Sequence, residues 1–183
     1  IHRDFRKPLI LMTPKSLLRH KLAVSKAEEF TTGSSFHRLM WDDAQQGNSD
    51  TKLVADNKIK RVVMCSGKVY YDLLEERDAR GITDIYLLRV EQFYPFPAQS
   101  AVAELERFKQ AEVVWCQEEP KNQGAWTFIE PNLEWVLGRI KAKHARPVYV
   151  GRATSASPAT GLASNHKAQQ AALVNDALTI KGK

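Results

Sequence analysis

The chain has 183 residues and a net charge of +6, with 43% hydrophobic and 26% charged residues. That is enough apolar content for one domain with a real core, and ordinary globular composition. No run of about 18 apolar residues occurs, so no helix is expected to span a membrane. The basic residues are dispersed apart from one denser stretch, Arg3 to Lys21, and no nucleic-acid-binding motif accompanies them, so nucleic acid is not an expected partner.

The first residues, Ile1 to Pro8, carry charges with no apolar stretch behind them. They read as neither a signal peptide nor a start, and the chain reads as a piece of something longer. Pro8 to Met12 is a short apolar run that predicts a strand, broken by Thr13–Ser16. Ser25 looks like a helix cap, with Glu28 three residues on. Phe36 to Trp41 predicts an edge strand. Asp42 to Asn57, rich in Asp, Gln, Asn, Gly and Ser, predicts an exposed loop, the least ordered part of the chain.

From Lys58 the pattern becomes regular. Strands are expected at Arg61–Cys65, Asp84–Val90, Glu112–Cys116 and Pro147–Gly151. Helices are expected at Val69–Arg80, ended by Gly81, at Ala98–Lys109, at Trp126–Lys143 with Pro131 interrupting, and at Lys167–Ile180. Strands alternating with helices of this length imply βαβ units and a parallel sheet with helices on both faces. The strands are continuously apolar, as strands covered on both sides are.

Polar clusters follow these strands, where open α/β sheets collect ligand-facing residues. Ser66-Gly67-Lys68 leads into a helix N-terminus. It either receives an anion on free amides and the Lys68 charge, or is a tight turn with Ser66 as cap. Glu118 and Glu119 either act as acid and base or serve a salt bridge and the following turn, Asn122-Gln123-Gly124. Phe93, Tyr94 and Phe96, between Gln92 and Pro97, either pack on the sheet edge or anchor an interface. Arg152, in the small-residue stretch Gly151–Gly161, either meets a phosphate or carboxylate or belongs to a surface loop. Cys65 and Cys116 are expected as buried reduced thiols. The five histidines show no metal-ligand spacing, and no nucleophile–base pair can be assigned.

Five segments, Pro8–Lys21, Val63–Arg77, Arg89–Pro97, Gln117–Trp126 and Ser155–Gly161, resemble in order the carboxyl-terminal part of the thiamine-diphosphate-dependent decarboxylating component of 2-oxoglutarate dehydrogenase. The resemblance covers essentially the whole chain. It implies a transketolase-type carboxyl-terminal domain: three α/β/α layers on a mostly parallel five-stranded sheet with one antiparallel edge strand at Phe36–Trp41. Residues 1–22 would then be the tail of a preceding pyrimidine-binding domain and 23–183 the carboxyl-terminal domain.

The parent of such a domain decarboxylates 2-oxoglutarate on thiamine diphosphate and magnesium in the tricarboxylic acid cycle. It works as a homodimer and succinylates the lipoyl arm of an acyltransferase component. It would be cytoplasmic in a bacterium and in the mitochondrial matrix in a eukaryote. A 2-oxoadipate-specific paralogue, or a free-standing nucleotide- or CoA-binding module, fits the same residues. The cofactor and substrate motifs of the family are absent from this chain, so no cofactor and no catalysis are expected of it alone. Relatives bind acetyl-CoA on this domain, and AMP is a second possible regulator. Gln92 matches that acetyl-CoA contact set. Ser35 and Arg38 stand where a lysine and a serine are expected, and Gln99 and Ser100 where two arginines are. Loss of cationic positions implies weak or no acetyl-CoA binding.

Overall fold

A computed structural model describes residues 2–180. They fall into two compact units that divide between Ser34 and Ser35.

The first unit carries no strand or α-helix among its described residues, only 3₁₀ turns at Lys15–Arg19 and Ala27–Phe30. The apolar run expected as a strand, Pro8–Met12, is irregular, and Leu9, Ile10, Leu11 and Met12 are exposed. The expected cap at Ser25 lies one residue away: the backbone N–H of Lys26 donates to Glu29 Oε1 at 3.1 Å.

The second unit is a five-stranded sheet between two helical layers, as expected. The strands are β1 (Leu39–Met40), β2 (Arg61–Cys65), β3 (Ile85–Val90), β4 (Glu112–Pro120) and β5 (Val148–Arg152), in the spatial order β1-β3-β2-β4-β5. All neighbours run parallel except β1, which pairs antiparallel with β3 through Leu39↔Val90 and Met40↔Arg89. The central strand β2 is buried at every position, with β3 and β4 beside it, and this is why these strands lack polar alternation.

The helices α1 (Val69–Ala79) and α4 (Ala163–Leu178) cover one face. There Tyr70, Leu73, Leu173 and Ala177 meet Val63, Leu87 and Val114. The helices α2 (Ala98–Leu105) and α3 (Trp126–Arg139) cover the other, where Leu105, Ile129, Leu133 and Val136 meet Met64, Leu88 and Trp115. Each such fully buried large apolar side chain contributes about 1.5–3 kcal/mol relative to its exposed state.

Helix ends differ from expectation by a few residues, for local reasons. Helix α1 stops where Gly81 takes a φ of +61°, so that Ile82 N–H reaches Arg77 O at 3.1 Å and Gly81 N–H reaches Asp78 O at 3.0 Å. Helix α3 ends earlier than expected in the same motif, with Lys141 at φ +53° in the place glycine usually fills. Helix α2 tightens into a 3₁₀ turn at Glu106–Phe108.

The segment 42–57, expected as a loose exposed loop, is instead fastened to the sheet and to α1. Asp42 is fully buried and pairs with the equally buried Arg77 of α1. Its carboxylate also accepts from two backbone donors, Leu87 N–H of β3 at 2.6 Å and Ala44 N–H at 2.9 Å. Further along the segment, the Ser49 and Thr51 hydroxyls each donate to Asp78 at 2.7 Å. The segment is a largely exposed loop, as expected, but a few of its polar side chains tie it down where it meets α1 and β3.

Cutting one partner out of a buried ion pair leaves an uncompensated charge, at a cost of about 3–5 kcal/mol. Arg77→Met is therefore expected to lower the free energy of unfolding by that amount in urea titrations. The double variant with Asp42→Leu should not recover it fully, because Leu87 and Ala44 N–H then lack their acceptor. Asp78 gives a pH signature. Burial opposes its ionisation, but hydrogen bonds from Ser49 and Thr51 and the Arg77 charge outweigh burial and hold its carboxyl below the ordinary 3.8. A depressed carboxylate contributes stability above its unfolded value and loses it as pH falls through the folded value. Below about pH 4, Asp78→Asn should therefore flatten the acid limb of the stability curve while lowering stability at neutral pH, as read by urea midpoints across pH.

Candidate functional site: the carboxyl ends of the strands

In an open α/β sheet a crevice forms where neighbouring strands send their connections to opposite faces. Here those strands are β2, which leads into α1, and the adjacent β4, which leads into α3 on the other face. The polar clusters expected from sequence meet at this place, and their geometry shows what each one does.

Gly67 turns the chain out of β2 with a φ of +73°. The residue that opens α1 is Lys68, and no side chain caps that helix, so Ser66 is not its cap. The Lys68 ammonium reaches across the crevice to the Glu118 carboxylate, with Asp72 one turn along α1 at 3.9 Å. Glu118 and Glu119 lie within β4, which runs four residues past its expected end to Pro120. They diverge: Glu118 takes Lys68, while Glu119 is exposed and its carbonyl accepts from Tyr149 Oη at 3.1 Å.

From Asp72 the polar contacts continue along the α1/α4 face. Gln170 Nε2 donates to Asp72 Oδ2 at 2.7 Å, and Arg152 donates to Gln170 Oε1 at 3.2 Å. Arg152 also meets His166 Nδ1 at 2.9 Å. The two cations of the rim, Lys68 and Arg152, thus belong to one side-chain network with Glu118, Asp72 and Gln170. Asn122 and Gln123 bind the loop after β5. Asn122 Nδ2 donates to Ser155 O and Ser155 N–H donates back to Asn122 Oδ1, both at 3.0 Å. Gln123 Nε2 adds a third bond to Ser155 O at 3.1 Å.

The residue that organises this rim is Gln117, to which sequence reasoning gave no role. It is buried in β4. Its Oε1 accepts from Trp115 Nε1 at 2.9 Å and from Trp126 N–H, the first residue of α3, at 3.0 Å. Its Nε2 donates to Gln123 O at 2.7 Å and to Pro120 O at 3.2 Å. One amide thus closes the turn between β4 and α3. The signal available was a lone amide directly after a continuous apolar run. A second unread position is Gly151 in β5, where a Cβ would lie 2.5 Å from Tyr149 Oη and 2.6 Å from Gln117 O.

The other predicted set, Ser35, Arg38 and Gln92, lies at the opposite sheet edge beside β1. The Arg38 carbonyl accepts from Glu91 N–H at 2.9 Å and Gln92 N–H at 3.2 Å, which pins β1 to the end of β3. Gln92 Nε2 donates to Pro95 O at 2.7 Å, so it braces the turn that follows, in which the Tyr94–Pro95 peptide is cis. Arg38 and Ser100 line a depression of about 350 Å³ with Phe36, Trp41 and the acidic residue Glu104. Glu104 is already bonded to Trp41 Nε1, Tyr86 Oη and Arg107. Of the aromatic residues in the turn, Phe93 and Phe96 pack against the core and Tyr94 is exposed.

The two cysteines oppose each other in register on β2 and β4, both free and fully buried. Burial pushes the Cys116 thiol up to about 12 and raises Cys65 well above the ordinary value. Neither is a thiolate at neutral pH, so neither can act as a nucleophile. Among the described residues no group of three or more His, Cys, Asp or Glu is placed to hold a metal ion. No helix among them is long and apolar enough to cross a membrane.

Gln117→Leu should orphan the buried Trp115 indole N–H and the Trp126 amide, at about 1–3 kcal/mol for each group. The expected readout is a lower denaturation midpoint with a changed near-ultraviolet tryptophan signal. Gly151→Ala should also destabilise, because one of the three atoms its methyl would meet is a backbone oxygen that cannot swing away.

Residues 24–178 match the family model described as "2-oxoglutarate dehydrogenase C-terminal". The 2-oxoglutarate dehydrogenase E1 components of Brucella anthropi and Brucella ovis are each 67% identical to this chain over 177 residues, and that of Brucella abortus is 66% identical over the same length. In each case 96% of this chain is covered, and the chain spans 18% of the relative's length. With its sheet order, crevice and rim in place, the chain belongs to the 2-oxoglutarate dehydrogenase C-terminal family.

Proposed function

We propose that this chain is the carboxyl-terminal structural and regulatory domain of a thiamine-diphosphate-dependent 2-oxoglutarate dehydrogenase E1 component. The observation that carries this reading is the 67% identity to named E1 components across nearly the whole chain. In that parent, 2-oxoglutarate is decarboxylated and the succinyl group passes to the lipoyl arm of the acyltransferase component. The parent acts as a homodimer. The Brucella relatives favour a bacterial cytoplasm as its place. Residues 1–22 are the tail of the preceding pyrimidine-binding domain, which accords with four consecutive exposed apolar side chains at Leu9–Met12.

Thiamine diphosphate and magnesium belong to the parent, and the residues present here do not fit them. A magnesium diphosphate needs converging hard oxygen ligands and uncommitted cations or amides. At this rim Glu118 is occupied by Lys68, and Arg152 is held through one nitrogen by His166 and Gln170, which leaves its Nε as an unpaired donor among the described residues with no converging carboxylates beside it. No chemical step is therefore assigned to this chain. Its work is to hold the crevice shape through Gln117 and the Lys68–Glu118 bridge, and to present the β1 edge.

At that edge Arg38 is the one arginine or lysine lining the depression, with Glu104 opposing an anionic ligand. Weak or absent acetyl-CoA binding follows, because phosphate recognition depends on clustered charge-assisted donors. Isothermal calorimetry of the chain with acetyl-CoA and with AMP should show no saturable heat at micromolar concentrations. Incubation with 2-oxoglutarate, thiamine diphosphate and magnesium should release no carbon dioxide. Turnover by this chain alone would overturn the assignment, and saturable micromolar acetyl-CoA binding would overturn the regulatory part of it.

A further inference from the structure

Helix α3 buries one face, built from Ile129, Leu133, Val136 and Leu137, and leaves another with two large aromatic side chains in solvent. Phe128 is 40% exposed and Trp135 is 57% exposed. Two helical turns apart, they stand on one line of the helix, and Arg139 extends that line by one more turn. A solvated helix face with no role does not need two large aromatic rings in register. Trp with Arg is also the composition that anchors protein interfaces.

Directly beyond this stripe the chain turns through residues 139–146, which hold Arg139, Lys141, Lys143 and Arg146 and no carboxylate. Arg146 bridges to Glu134 at 3.2 Å. Arg139, Lys141 and Lys143 make no ion pair among the described residues, whereas Lys109, next to Lys143, is paired with Glu106 at 2.9 Å. Lys141 is also the one non-glycine residue with positive φ among the described residues. The helix dipole accounts for one or two cations at the end of α3. It does not reach Lys143 or Arg146, whose charges fall beyond the last turn.

We propose that the Phe128–Trp135–Arg139 line of α3 and the basic turn 139–146 form one docking surface for an acidic protein segment. Apolar anchors of that segment seat on the two aromatic rings, and its carboxylates meet Arg139, Lys141 and Lys143. A second copy of the chain fits less well, since it brings one +6 molecule against another. A nucleic-acid backbone is the rival polyanion, and the oligonucleotide control in the test separates the two. The surface runs along the exposed side of α3, from its first turn to the turn before β5, and does not rest on the family reading.

The test uses the full chain, ¹⁵N-labelled, and a synthetic amphipathic helical peptide of about 15 residues with Leu on one face and Glu on the other. Controls are the same peptide with Lys in place of Glu and a single-stranded oligonucleotide of similar length. The acidic peptide should shift the Trp135 indole resonance and the amides of 139–146, weaken as salt rises from about 50 to 300 mM, and exceed the basic peptide in affinity. Arg139→Glu with Lys143→Glu, and separately Trp135→Gln, should each weaken binding on the order of tenfold while the chain keeps a cooperative melting transition. All three residues are exposed, so the variants should fold, and the melting temperature verifies it. The proposal is overturned by no shift at this surface, by equal binding of the acidic and basic peptides, or by tighter binding of the oligonucleotide. Self-association that Trp135→Gln abolishes would overturn it in favour of a second copy.

Discussion

A single side-chain amide, that of Gln117, sits where the sheet, the crevice and one helical layer must agree. An amide has acceptor capacity on one atom and two donors on the other, and Gln117 uses both ends while buried. The acceptor end fixes the Trp115 ring inside β4 and the first amide of α3. The donor end fixes the carbonyls of the turn between them. Such an interaction has modest net worth when made and is costly when left half made. The direction in which α3 leaves the sheet therefore depends on one residue that neither an apolar nor a charged side chain can replace. Gly151 is the matching constraint from β5, since only a residue without a Cβ lets that strand lie against the Gln117 carbonyl.

The Asp42–Arg77 pair does comparable work at a different place. A buried ion pair offers little net stability, because desolvation offsets most of the attraction. What this one supplies is register. The Asp42 carboxylate binds the guanidinium of α1 and a backbone amide of β3 together, so the short antiparallel strand β1 that ends just before it has one position available. A strand of two residues cannot specify its own pairing by side-chain alternation. The specification comes instead from Asp42 after it and from the Arg38 carbonyl before it, which holds Glu91 and Gln92.

How far the sequence is legible divides along the same physical line. Elements set by local periodicity and continuous burial are readable: β2, β3, the start of β4, and the four helices all lie within a few residues of where apolar spacing puts them. Elements set by side chains far apart in sequence are not. The segment 42–57 reads as a solvated loop because its polar residues look unpaired until Arg77 and Asp78, distant in the chain, are folded against it. Pro8–Met12 reads as a strand because apolar residues favour that state, yet a strand needs a partner edge, and none among the described residues is paired with it. The rim residues Lys68, Glu118, Asn122, Gln123 and Arg152 are visible individually. Their pairing with one another, which decides what chemistry is open to them, is a property of the sheet order.

That pairing bears on what a domain of this family can contribute. Catalytic sites keep perturbed, partly uncompensated groups where substrate arrives. In this chain the crevice at the switch point is compensated only in part: its lysine has a carboxylate and its thiols are buried and protonated, but Arg152 meets two neutral acceptors through one nitrogen and its buried Nε has no partner among the described residues. Further uncompensated charge and exposed aromatic surface lie elsewhere, on α3 and the turn that follows it. Rim side chains that mostly bind one another shape the crevice, while the exposed aromatic rings of α3 have no such partners in this chain's core. What stays uncommitted at this edge is narrow: among the described residues the Arg152 Nε is buried without a partner, and Glu119 is exposed with only its carbonyl bonded to Tyr149.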